Sequence, residues 1–73
     1  MQILEFIKKQ KHGEVHQINE VPFFSERLFE MGIHQGQKFE YLGTAPFRGP
    51  IIIKFGNTVI ALRTEEAACL IVK

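Results

Sequence analysis

Ile51-Ile52-Ile53-Lys54-Phe55-Gly56-Asn57-Thr58-Val59-Ile60-Ala61-Leu62 holds two β-branched runs joined by a two-residue turn. Side chains branched at Cβ suit a pleated strand, and a Gly-Asn connection lets glycine supply the positive φ of a tight hairpin. Upstream, Gln37 to Leu42 alternates, with Phe39 and Tyr41 on one face and Lys38 and Glu40 on the other. Val15-His16-Gln17-Ile18, opening at Glu14 and broken by Pro22, predicts another strand. Cys69-Leu70-Ile71-Val72 predicts a last one. The stretch Gly43-Thr44-Ala45-Pro46-Phe47-Arg48-Gly49-Pro50 is rich in turn residues and reads as a loop.

Helical patterning lies between these strands. Ile3, Phe6 and Ile7 share one face of a short helix over 3–10, with lysines toward its end and Gly13 as its stop. Ser25 to Gly32 reads as a two-turn helix: Ser25 is the N-cap, Gly32 takes the left-handed position after the end, and Phe24, Leu28 and Met31 form one buried stripe. Thr64-Glu65-Glu66-Ala67-Ala68 predicts one helical turn capped by Thr64. The expected architecture is mainly β with short helices, about five strands curled into a small SH3-like, partly closed barrel that forms a single domain over residues 1–73. Its core is expected to hold Leu28, Met31, Phe39, Ile53, Phe55, Ile60, Leu62 and Leu70.

Length and charge narrow the function. A chain of 73 residues exposes about 4,600 Å² when folded against about 12,000 Å² unfolded, so its core is thin, a deep substrate cavity is hard to build in it, and a large multi-step enzyme is excluded. Nine Lys and Arg against eight acids, all Glu, give a net charge of +1 and a pI near 7.9. Nucleic-acid modules of this size are far more basic, and no nucleic-acid partner is expected. The single cysteine, Cys69, cannot form an internal disulfide. The start of the chain lacks the order of a signal peptide, and no apolar run has the length of a membrane span. A cytoplasmic protein without direct membrane insertion is the expectation.

The punctuation of the chain resembles a known family. Arg27-Leu28, Met31-Gly32-Ile33 and Gly36, then Ala45-Pro46 before Pro50-Ile51, then Leu62-Arg63 and Glu66-Ala67 follow in register the signature of the ferrous iron transport protein A family, FeoA. Gly13 and Ile18 stand where that family has its early glycine and first-strand isoleucine, so the likeness runs from about Leu4 to Val72. It departs at Arg48-Gly49, where typical members carry a glycine-aspartate pair, so this turn must be made differently. The resemblance implies an SH3-like barrel, no enzymatic activity, and a cytosolic partner: a membrane ferrous iron transporter with its own GTPase domain. A metal-dependent repressor with a similar barrel would need a helix-turn-helix ahead of it, which the twelve residues before Gly13 cannot supply.

Four groups of residues are candidates for chemistry or contact. Pro46-Phe47-Arg48 places a large apolar side chain and a guanidinium on a loop, the composition enriched in interface cores. The other arrangement has Phe47 folded back to cap the barrel. His12, Glu14 and His16 stand at i, i+2 and i+4 on a strand, a set that could hold Fe(II) as a cofactor; otherwise they form a solvated face opposite Val15. Arg48 is the candidate for an arginine finger toward a GTPase partner, while Arg27 and Arg63 are expected to pair with Glu or with carbonyls. Cys69 is expected in the core and His34 on the surface. Ser25 lacks an Asp-oriented histidine, so nucleophilic catalysis has no constellation. Exposed barrel edges make weak homo-oligomers conceivable.

Overall fold

The computed structural model describes all of residues 1–73. Elements follow in the order α1 (Ile3–Phe6), β1 (His12–Ile18), α2 (Phe24–Glu30), β2 (Lys38–Thr44), β3 (Ile51–Phe55), β4 (Thr58–Leu62), α3 (Thr64–Ala67) and β5 (Leu70–Val72). The five strands form one antiparallel sheet in the order β4-β3-β2-β1-β5. The β3–β4 hairpin pairs Phe55 with Thr58 across Gly56-Asn57, and Gly56 has φ 58° while Asn57 stays at negative φ. That is the pattern of a type II′ turn, whose twist matches the strands it joins.

The sheet curls around one cluster of 14 buried residues. Leu28, Phe39, Ile53, Phe55, Leu62 and Leu70 lie in it as expected, whereas Met31 and Ile60 are only partly buried against it. Ile3, Phe6, Val15, Ile33, Ile51, Ala67, Cys69 and Val72 complete it. Phe6 of α1 closes the space beside β2 and β3, its ring centroid 5.8 Å from that of Phe39, which lies 6.1 Å from Phe55. The total accessible surface is 4872 Å², near the expectation for this mass.

Several local expectations are corrected. Gly13 does not stop a helix; it lies within β1 opposite Phe39. A Cβ there would stand 2.8 Å from both the Phe6 and Phe39 rings, so the glycine makes room for aromatic packing. α1 is correspondingly short, with Gln2 as its N-cap through Oε1, which accepts the Leu4 N–H at 2.8 Å. β1 begins at His12, before Gly13, rather than at Glu14. Ser25 is not the cap of α2. Phe23, at φ 78°, turns the chain into the helix; the buried Ser25 hydroxyl donates to the Val21 carbonyl at 2.8 Å and accepts its N–H at 3.1 Å. The cap of α3 is Arg63, not Thr64: the Glu66 carboxylate reaches back to accept the Arg63 N–H at 3.0 Å.

The end of α2 is as expected. Gly32, at φ 85°, donates to the Phe29 carbonyl, and Ile33 donates to the Leu28 carbonyl, both at 3.0 Å. These are the paired bonds of a Schellman motif, with Ile33 and Leu28 both buried where its apolar contact is expected.

Candidate partner-binding site

The turn between β2 and β3 is built against local preference. The Gly49 N–H donates to the Pro46 carbonyl at 3.2 Å, which closes a four-residue turn over Pro46-Phe47-Arg48-Gly49. Its two central residues have φ 61° and 56°. Left-handed backbone at both central positions defines a type I′ turn, which ordinarily takes Asn-Gly. Phe and Arg pay a steric penalty there. The residues that join it to β2 and β3 hold the turn in place: Ala45 donates to the Pro50 carbonyl at 2.9 Å and Gly49 to the Ala45 carbonyl at 3.2 Å. Gly49 has no space for a side chain, since a Cβ would lie 2.8 Å from that of Ala45. This is how the loop is made with Arg48-Gly49 in place of the glycine-aspartate pair.

Phe47 stands at the tip and is 98% exposed. Of the two arrangements open to it, the structure has the outward one. Arg48 lines a groove of about 380 Å³ between the turn and α1, whose floor includes Leu4, Ile7, Tyr41 and Ile51. The hydroxyls of Tyr41 and Thr44 hydrogen-bond to each other at its side. Arg48, Gly49 and Thr64 also line a neighbouring smaller cleft of about 180 Å³, where Arg63 and Glu65 stand.

The arginines divide. Arg27 is committed to structure: its Nε lies 2.9 Å from Oε2 of Glu66, whose side chain is 4% exposed. That pair joins α2 to α3. Arg48 and Arg63 have no carboxylate within ion-pair distance, so for Arg63 the expected Glu partner is absent. Glu66 is the residue the sequence reading missed as a structural one. Its signal was its place three residues after Arg63, the spacing at which a Glu side chain reaches back to an N-cap.

His12, Glu14 and His16 all lie on β1, but the strand does not bring them to one point. The register of β1 against β5 shifts between Val15 and Gln17, so His16 interrupts the two-residue alternation. His12 stands opposite Glu40, Nε2 to Oε2 3.8 Å, and Glu14 opposite Lys38. No group of three His, Cys or Glu side chains is gathered as a metal would need. His34 is exposed, with Nδ1 3.1 Å from the Gln35 carbonyl. Cys69 is buried in the core; that burial, and then the negative charge of Glu66, push its thiol pKa up, away from the reactive thiolate.

A profile of the FeoA domain matches residues 3–73. The chain belongs to the FeoA family. Solved FeoA structures share its fold. The iron(II) transport protein A of Clostridium thermocellum superposes with a TM-score of 0.77 at 30% identity, over 86% of this chain and 39% of that one. The FeoA-like protein of Clostridium acetobutylicum gives 0.79 at 25% identity, over 88% and 74%. The zinc complex of Stenotrophomonas maltophilia FeoA, described as an SH3 domain protein, gives 0.73 at 24%, over 88% and 80%. No curated protein matches the chain significantly. FeoA membership places this chain among small SH3-like proteins rather than enzymes. No helix in it is long and apolar enough to cross a membrane.

Proposed function

We propose that this FeoA-family protein is an accessory module of ferrous iron uptake, working in the cytoplasm on a membrane Fe(II) transporter that carries a GTPase domain. Pro46, Phe47 and Arg48 form its contact. The observation that carries this reading is the strained turn, which holds a phenylalanine 98% exposed at its tip. Two left-handed non-glycine residues in succession cost about 1 kcal/mol or more each, and exposing a benzyl group gains nothing in the isolated protein. Both costs are offset if Phe47 is buried on a partner. Family membership supports this class of partner: related proteins bear the names iron uptake regulatory protein and iron(II) transport protein A.

The test is calorimetric titration of the protein into the soluble GTPase domain of the transporter, with and without nucleotide. Replacing Phe47 and Arg48 together by Ala is expected to weaken binding at least tenfold, about 1.4 kcal/mol, with little change in thermal stability, because Ala keeps the left-handed penalty. Unchanged affinity would place the contact elsewhere. A second reading is favoured by one observation, the unpaired Arg48 on a protruding turn: the protein accelerates GTP hydrolysis through that guanidinium. Turnover measured in the same titration is then expected to rise, and an unchanged rate at saturation would refute it.

A further inference from the structure

The groove beside the turn carries a charge pattern that specifies what it accepts. Its apolar floor comes from Leu4 of α1 and Ile7 just after it, together with Tyr41 and Ile51 of the sheet. Lys8 and Arg48 line that groove with no carboxylate among its lining residues, and the adjoining cleft, which shares Arg48, Gly49 and Thr64 with it, adds Arg63 and a single carboxylate, Glu65. Neither arginine has an intramolecular partner, and Lys8 has only Glu5 at 3.3 Å, with both side chains about two-thirds exposed. Such an exposed pair contributes little and exchanges readily. The excess of positive charge is local, since the whole chain carries only +1. A separate cleft, of about 360 Å³ beside α2, has the reverse character, lined by Glu20, Glu26 and Phe29.

We infer that the groove binds a short acidic segment of the partner protein, one in which carboxylates flank apolar side chains. The inference rests on the reading of the turn as a docking element and adds the chemistry of what docks. The apolar residues of the segment cover Leu4, Ile7 and Tyr41, while its carboxylates meet Arg48 and Arg63, whose planar donors match them bidentately. A small anion would leave the floor uncovered, and a neutral apolar peptide would bury two guanidiniums without partners, which is costly. The groove volume, about 380 Å³ at its apolar end, fits a few side chains rather than a folded domain.

Selection from a random peptide library displayed against the full protein tests this without any transporter. Enriched peptides are expected to combine at least two acids with apolar residues. A synthetic copy of one is expected to shift backbone amide resonances at Leu4, Ile7 and Tyr41. Its affinity should fall roughly tenfold in Arg48→Glu and in Arg63→Glu, fall likewise in high salt, and stay unchanged in Glu26→Lys on the other cleft. Amide spectra of the variants establish that each is folded. Enrichment of neutral or basic peptides, absence of enrichment, or binding indifferent to Arg63→Glu would overturn the inference. Transporter binding that still depends on Phe47 after such a result would leave the function reading standing, and loss of both would remove the turn as a docking element.

Discussion

Two backbone positions, Gly13 and Arg48, show how single residues are conscripted by their surroundings. At Gly13 intrinsic preference and packing oppose each other. Alanine is favoured over glycine in a strand by about 0.5–1 kcal/mol, but its Cβ would enter the Phe6 and Phe39 rings at 2.8 Å. Both rings are buried, so they cannot swing aside, and overpacking of this kind costs about 1–3 kcal/mol. The net expectation for Gly13→Ala is a destabilised protein in equilibrium denaturation, with favourable coupling to Phe6→Leu in a double-mutant cycle; a more stable variant would show that the rings yield. At Arg48 the opposite holds. Arg48→Gly removes a left-handed penalty of about 1 kcal/mol or more, less part of the entropy that glycine adds to the unfolded chain. The melting temperature is expected to rise by a few degrees while partner binding weakens. A lower melting temperature would mean that the Arg48 side chain holds the turn. Gly32 and Gly56 were legible in the sequence because glycine after a helix or in a two-residue hairpin announces positive φ. Gly13 was misread because its requirement comes from rings distant in sequence, and nothing in Phe47 or Arg48 announces a left-handed backbone.

Elements were legible wherever the signal was local. The β3–β4 hairpin and the end of α2 follow from Gly56-Asn57 and Gly32. The helix starts were misplaced by a residue or two, because Ser25 and Thr64 are good caps by type while the observed starts are fixed by Phe23 and by Glu66. The candidate turn was legible as a loop with an aromatic and an arginine, but its direction was not, since exposure depends on the barrel around it. Likewise the spacing of His12, Glu14 and His16 suggested convergence that the register shift at His16 removes. Glu66 joins two helices and permits a separation of effects. Losing its acceptor at the Arg63 N–H costs about 1 kcal/mol, and deleting its buried methylenes costs about as much again. The charge on Arg27, whose side chain is 54% exposed, is worth less than about 1 kcal/mol. Glu66→Ala is therefore expected to lose about 2–3 kcal/mol and Glu66→Gln, which keeps the acceptor and the volume, less than half of that. Equal losses in urea titrations would show that the ion pair, not the cap, dominates.

At the scale of the molecule, the partly closed barrel has two sheet edges of different kinds. The outer edge of β5 is covered by the start of the chain: the Val72 N–H donates to the Met1 carbonyl at 2.6 Å, the Met1 ammonium donates to the Val72 carbonyl at 2.9 Å, and Gln2 bridges to Ile71. β4 pairs with β3 on one side and with no strand on the other. In a two-residue hairpin the residues flanking the turn form a hydrogen-bonded pair, and alternate pairs along the ladder do the same. From the register Phe55↔Thr58, Ile53↔Ile60 and Ile51↔Leu62, the N–H groups of Val59 and Ala61 point away from the sheet. Thr58 to Leu62 bears no charge and no proline, the usual protections of an exposed edge; its brevity limits the hazard instead. Amide hydrogen exchange should expose this asymmetry within one strand. Val59 and Ala61 are expected to exchange at nearly free-peptide rates. Ile60, whose release requires the hairpin to open, should exchange roughly 100-fold more slowly, within the few kcal/mol available to so small a domain. Equal protection along β4 in dilute solution would mean that the edge is paired, and protection at Val59 and Ala61 that grows with protein concentration would identify a second copy as the pairing strand.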